Sequence, residues 1–329
     1  MKILLVNVDS RWNMAIRKMY SYYKQHNHYV EMIDLNFSGY PHKRTESIFA
    51  VDYDKVFVSN IFDINKDRVE IVGCNDVVFG GFGSNNPHLK LPDEIENTEP
   101  FYFPDEDTSY GFITRGCIRK CWFCKVPKYE GELKVYNTIE NIVKHKKVKF
   151  LDNNILAYKD HMKVFQWCLD HPEIKVEFNQ GLDFRLVNDE NLEALSKLNY
   201  MGEYTFAFDE PKYQPLLEKK LILMKKWNSK PWKLKFYIYY HPSMELSQLV
   251  ERAEWCRKNQ CKPYVMRDIA CWDAEKQVKE FLIDYAAYCN QPAHFKKQTF
   301  QEFLLIRYKN EDRIQASLDV YVKAGGEIG

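Results

Sequence analysis

No stretch of the 329-residue chain is apolar for long enough to span a bilayer, so nothing in it reads as a transmembrane helix. Neither sign of charge is in excess. The 47 Lys and Arg against 46 Asp and Glu leave a formal charge of +1, which removes any global pull toward nucleic acid or an anionic lipid surface. Residues 1–9 are too short and too soon charged for a secretory leader, so a cytoplasmic location is expected. In that reducing compartment nine cysteines, an odd number, do not read as a disulfide framework; they read as metal ligands plus buried thiols.

What is present suffices for a sizeable core: 45% of residues are hydrophobic and 28% charged, over a length that accommodates two domains or one large barrel. An apolar run over 2–9 followed by helical spacing over 13–25 predicts a strand feeding a helix. Strand signals recur over 29–35, 55–60 and 76–79, the last entering Gly80-Gly81-Phe82-Gly83. Strands alternating with helical or looped segments predict a small parallel α/β sheet, with binding at the carboxyl ends of its strands. Residues 87–108 carry Pro87, Pro92, Pro100 and Pro104 among acidic residues, a composition that sustains neither helix nor central strand and predicts an extended linker.

Beyond residue 108 the pattern becomes periodic. Strands are expected over 110–114, 148–152, 175–179, 204–209, 234–241 and 263–268, and helices over 138–145, 159–169, 189–198, 213–227, 246–258 and 274–289, which makes six βα units. Strand parity separates two faces. On the fifth strand Leu234, Phe236 and Ile238 alternate with Lys235, Tyr237, Tyr239 and His241. The bulky apolar set must face the helices, so Tyr237, Tyr239 and His241 are candidates to line a polar lumen and meet substrate. In the tail, 291–329, basic and aromatic residues interleave over 295–307, where an amphipathic helix sealing the barrel is expected, and a last helical stretch is expected over 312–322. Nucleic acid is not indicated.

One run carries the chemistry: Thr114-Arg115-Gly116-Cys117-Ile118-Arg119-Lys120-Cys121-Trp122-Phe123-Cys124, a CxxxCxxC loop. A structural zinc site wants four ligands in paired spacings, and no second pair or nearby histidine follows. Three thiolates in eight residues suit a four-iron four-sulfur cluster with one iron left open to an exogenous molecule. Cys256, Cys261 and Cys289 fall toward the opposite end of the strands from this loop and read as buried thiols rather than a second cluster.

The loop, its flanking Thr-Arg-Gly and its aromatic residue resemble the radical S-adenosylmethionine (SAM) superfamily. That resemblance implies a partial (β/α)6 TIM-like barrel over 108–290, preceded by a small Rossmann-like parallel α/β domain over 1–90 and a linker over 91–107, with a helical tail over 291–329. It implies a 4Fe-4S cluster on Cys117, Cys121 and Cys124, reductive cleavage of SAM to a 5′-deoxyadenosyl radical, an electron donor such as flavodoxin or ferredoxin, and hydrogen abstraction from an unidentified substrate. By position, Phe123 falls by the adenine. Asp152, Asn153 and Asn154 stand where the family has a glycine-rich segment for the cofactor's amino group. Arg185 is the choice for its carboxylate, and Asp209 and Glu210 suit the ribose. The first domain resembles a cobalamin-binding fold, with Ser59 and Gly80-Gly81 in family positions, but its first loop, residues 9–14, lacks the family's histidine and glycine, so no cobalamin is expected. A cobalamin-dependent methyltransferase and a noncatalytic metal-binding adaptor are the alternatives.

Overall fold

A computed structural model describes residues 1–37, 44–228 and 230–328 of a mixed α/β molecule. It divides into two compact units: Met1–Gly111 with Arg119–Glu132, and Phe112–Ile118 with Leu133–Gly329. The expected linker therefore packs within the first unit and the expected tail within the second.

The first unit holds strands β1 (Lys2–Asn7), β2 (Tyr29–Asp34), β3 (Glu46–Phe49), β4 (Lys55–Ser59), β5 (Val69–Val72), β6 (Val77–Gly80) and β7 (Thr108–Gly111). Four of them form a parallel sheet in the order β2-β1-β4-β6. Central β1 is continuously apolar from Ile3 to Val6, because both its faces are buried there. Ile3 and Leu5 pack on Ile16 and Met19 of helix α1 (Met14–Gln25), while Leu4, Val6 and Val8 pack with Ile48, Val69 and Ile71 of the parallel β3-β5 pair. Asn13 caps α1 by accepting from the Ile16 N–H. The β3-β5 pair goes unread in the sequence, since each strand is four residues long and largely exposed on one side.

In the proline-rich stretch one helical turn, α2 (Asp93–Glu96), starts after Pro92, where a missing N–H costs nothing. The rest has no other helix and includes turns at residues 87–88 and 104–105. It is held by Arg17, whose guanidinium makes a bidentate pair with Glu106 at 2.7 Å for both bonds and donates to the Phe101 carbonyl at 3.0 Å. A single-turn helix, α3 (Val126–Tyr129), completes this unit.

The second unit begins with two short antiparallel strands, β8 (Thr114–Arg115) and β9 (Lys134–Val135), then a one-turn helix α4 (Ile139–Ile142). The strand expected over 110–114 is found as β7 (Thr108–Gly111) and β8, interrupted at residues 112–113, and the helix expected over 138–145 is shortened to α4. The regular part then alternates: β10 (Lys147–Phe150), α5 (His161–Asp170), β11 (Lys175–Phe178), α6 (Asp189–Lys197), β12 (Tyr204–Ala207), α7 (Gln214–Trp227), β13 (Leu234–Tyr240), α8 (Leu246–Lys258), β14 (Lys262–Arg267) and α9 (Lys276–Cys289). β10 pairs parallel with β11, and β12, β13 and β14 form a parallel sheet in that order. Parallel bridges at Val176–Tyr200 and Leu182–Phe206 link the β11 and β12 regions. Each strand sits within a few residues of its expected place, because a hydrophobic period of two followed by one of 3.6 is legible without tertiary information.

In the tail the helix expected over 312–322 is present, whereas the stretch over 295–307 is not one helix. The tail forms α10 (Pro292–Lys297), α11 (Phe300–Arg307) and α12 (Glu311–Lys323). The break falls at Thr299, which forms a capping box with Glu302 and so starts a new helix. Phe300 and Tyr321 pack around Phe281 and Tyr285 of α9.

Candidate functional site

The cysteine loop leaves β8 through Gly116, whose φ of +82° places it in the left-handed region that glycine adopts without a Cβ penalty. Below it stands Asp152, two residues beyond β10. Its carboxylate accepts from the Ile113 N–H at 3.2 Å, the Thr114 N–H at 2.5 Å and the Thr114 hydroxyl at 2.7 Å. Asp152 thus fastens the base of the loop to the end of β10 and has little capacity left for a cofactor amino group. Burial pushes its carboxyl up to about 6 against the pull of those three donors.

That shift has a signed consequence. The folded state holds the proton more tightly than the unfolded chain, so charging Asp152 favours unfolding as pH rises from about 4 to about 6, and the effect is constant above. Two units correspond to about 3 kcal/mol at most. Asp152→Asn keeps an acceptor for Thr114 and removes the titration. Its stability difference from wild type should therefore move in its favour by about 2 kcal/mol between pH 4.5 and pH 7.5, read from urea midpoints. An unchanged difference would mean that the carboxyl is not desolvated.

Asn154 is the most informative side chain of the unit. It is buried; its Nδ2 lies 3.7 Å from Cys117 Sγ and donates to Asp183 Oδ2 at 3.3 Å, while its Oδ1 has no hydrogen-bond partner. Asp183 also grips Arg185, taking Nε at 2.5 Å and an Nη at 3.1 Å. Half of the guanidinium fork expected to meet a cofactor carboxylate is therefore engaged by Asp183, and its plane lies over the Tyr213 ring at 5.1 Å. Asp183 was missed in the sequence reading. Its signal was its place immediately before the N-terminus of the 3-10 turn Phe184–Leu186, where its side chain accepts from the Arg185 N–H.

On the same unit, Asp209 lies beyond β12 and accepts from the Tyr239 N–H at 3.3 Å. Burial raises its carboxyl to about 6, opposed by nearby Arg252 and Arg185. Glu210 is ion-paired with Lys212 at 2.5 Å. Arg252, fully buried on α8, donates to the carbonyls of Phe208 at 3.0 Å and Asp209 at 2.7 Å, and so holds the end of β12. Nothing in the sequence reading singled it out, although an arginine within the buried stripe Leu249, Ala253, Cys256 was a usable cue.

The two faces of β13 separate by parity. Phe236 and Ile238 are buried in the core, with Phe236 5.3 Å from the ring of Trp255 on α8. On the other face, Tyr237 meets Tyr264 edge-on at 5.5 Å, and the Tyr239 hydroxyl donates to Asp268 Oδ2 at 2.7 Å. His241 Nε2 lies 4.0 Å from the other oxygen of Asp268. Tyr237, Tyr239 and His241 are thus separated from the helix-packed core, with Tyr239 and His241 sharing one carboxylate.

The division into units falls inside the cysteine loop, so Cys117 is described with the second unit and Phe123, Cys121 and Cys124 with the first. The three thiols are half-buried and none is in a disulfide. Phe123 meets Trp122 edge-on at 5.6 Å. The loop's exit is tied to the first unit by an ion pair of Lys125 with Asp63 and by stacking of Tyr129 on Phe82 at 5.3 Å. Among the described residues no group of three or more His, Cys, Asp or Glu side chains is gathered to hold a metal ion. Cys256, Cys261 and Cys289 are buried, and burial drives their thiols upward, Cys261 to about 12.

In the first unit, Ser59 accepts from Asn13 Nδ2 at 2.8 Å. The glycine-rich turn after β6 wraps closely around Asn60: a Cβ on Gly81 would lie 2.2 Å from the Asn60 carbonyl oxygen. Ser59 and this glycine turn therefore have structural duties that require no corrin. No helix among the described residues is long and apolar enough to cross a membrane. No family model matches the chain, and no curated protein matches it significantly.

Proposed function

We propose that the chain is a radical SAM enzyme. It holds a four-iron four-sulfur cluster on Cys117, Cys121 and Cys124, and it abstracts hydrogen from a substrate on a partial (β/α)6 TIM-like scaffold. The observation that carries this reading is Asn154. A buried amide beside Cys117 keeps an Oδ1 without a hydrogen-bond partner, an acceptor of the kind that a bound ammonium would satisfy. The donor set fits as well: three thiols within eight residues, free of disulfides and with one iron's ligand missing.

When bound and reduced by one electron, the cluster and SAM supply the 5′-deoxyadenosyl radical. The chain's own residues do the rest. Asp152 fixes the base of the loop, so that Cys117 is presented from a rigid strand end. Asp183 orients both Asn154 and Arg185, and Arg185 remains the candidate for the cofactor's carboxylate. Tyr237, Tyr239 and His241 face away from the core and are the substrate candidates, while Asp209 and Glu210 remain the candidates for ribose hydroxyls. A flavodoxin or ferredoxin would deliver the electron. Ser59 and the glycine turn being otherwise employed, the first unit is read as free of cobalamin.

The test is direct. Protein reconstituted with iron and sulfide without oxygen should carry about four iron atoms per chain. With dithionite and SAM it should release 5′-deoxyadenosine, slowly in the absence of substrate. Stoichiometric zinc with little iron, and no deoxyadenosine, would overturn the proposal.

A further inference from the structure

The chain as a whole carries a formal charge of only +1, yet positive charge is concentrated where β13 and β14 begin. Lys235 and Lys262 lie side by side in the parallel pair and share one carboxylate: Glu203 pairs with Lys262 at 2.5 Å and faces Lys235 at 3.6 Å. Lys296 of α10 joins them. Burial, and then repulsion from Lys262, hold its ammonium below the usual lysine range. Glu177 on β11 is paired with Lys149 at 2.7 Å, so the three ammoniums are set against Glu203. Lys230 and Lys233 stand two before and one after Pro231-Trp232, and Lys297 follows Lys296.

Two aromatic rings are exposed among these charges. Trp232 is 46% exposed, with the Lys296 Nζ 5.8 Å from its ring, and Tyr264 is 41% exposed, with the Lys235 Nζ 5.9 Å from its ring. Ammoniums alone would suit any anion. Exposed rings set between them suit a chain that repeats anionic charge and flat aromatic surface together, and single-stranded nucleic acid does so, since every phosphate is charged and every base has a π-face. A duplex keeps its bases stacked inside and offers phosphates alone, while an acidic peptide brings carboxylates without rings.

We propose that this face of the second unit binds single-stranded nucleic acid, with phosphates beside Lys262, Lys296 and Lys233 and bases stacked on Trp232 and Tyr264. The surface is built from second-unit residues alone and does not depend on the chemistry of the cysteine loop.

Fluorescence anisotropy on the full chain tests it, with labelled oligouridylate and oligothymidylate of about twelve nucleotides as probes. A duplex of equal length and polyglutamate serve as controls. A single strand should bind at micromolar concentration in low salt, with log K falling against log salt at a slope of about −2 for three neutralised phosphates. Both controls should bind at least tenfold more weakly. Trp232→Ala should weaken binding at least fivefold through lost stacking. Lys296→Glu should weaken it as much and flatten the salt slope, whereas Lys128→Glu on the first unit should change neither. Thermal melting checks folding, and if Trp232→Ala does not fold, Tyr264→Ala takes its place. Absence of binding to both single strands in low salt overturns the proposal. So does polyglutamate or the duplex binding as tightly, affinity undiminished in the aromatic variant, or an equal loss in Lys128→Glu, which would place the strand elsewhere.

Discussion

Cys121→Ala should reduce reconstituted iron to background and abolish 5′-deoxyadenosine formation, while Cys74→Ala leaves both intact. The contrast is chosen for its physics. Cys74 is a half-buried thiol of the first unit, as Cys121 is, so exposure and general thiol chemistry are matched. What differs is membership of a loop that places three thiolates within eight residues. A 4Fe-4S cluster held by two thiolates has lost one of its three protein ligands, and the expected loss is therefore complete rather than graded. Cys117→Ala should behave the same way. Iron and deoxyadenosine surviving at more than a small fraction of wild type in Cys121→Ala would remove the loop from the chemistry, and equal losses in Cys74→Ala would point to nonspecific iron on exposed thiols. Thermal melts on the iron-free proteins should be nearly superimposable, because none of these side chains is a core residue.

The second large effect is on stability and lies far from the loop. Asp284 of α9 is fully buried, accepts from the Tyr308 hydroxyl at 2.6 Å and the Ser317 hydroxyl at 2.9 Å, and pairs with Arg313 at 2.6 Å. Arg307 approaches it at 3.6 Å. One carboxylate therefore gathers groups from α11, α12 and the turn between them onto α9. Removing it takes away the acceptor these groups share, leaving Arg313 with only Ser317 Oγ and Glu280 as partners, and breaking such a buried pair costs about 3 to 5 kcal/mol. Asp284→Ala should lower the melting temperature by roughly 10 °C or more and should raise amide exchange selectively over residues 300–323. Replacing the pair by Asp284→Leu with Arg313→Met should recover part of the loss, since apolar substitutes of similar volume avoid the desolvation of two charges. Exchange rising equally across the unit would show that the tail is not anchored through this group.

The difference between these two cases tracks what a linear sequence displays. The cysteine loop is visible because all its ligands lie within eight residues. Asp284 and Arg313 are 29 residues apart on separate helices, and in sequence each reads as one more surface charge. Asp183 presents the same problem: it is a small polar residue in a loop after a strand, where turn chemistry is the ordinary explanation. Its link to Asn154 arises only when β10 and β11 lie side by side and bring the following loops together.

The sequence alone determined the order and type of the repeating elements from β10 to α9 and the two faces of β13. These depend on local hydrophobic period, which backbone geometry converts directly into helix, strand and side-chain direction. It also located the cysteine loop. The tertiary structure decided the rest: that Asp152 clamps the base of that loop, that Arg185 is already gripped by Asp183, that the tail breaks at Thr299, and that a small β3-β5 pair covers one sheet face. Each of these depends on which donor meets which acceptor, or which surface meets which, across tens of residues. Chain connectivity carries no record of such meetings until packing excludes water and makes every buried polar group find its partner.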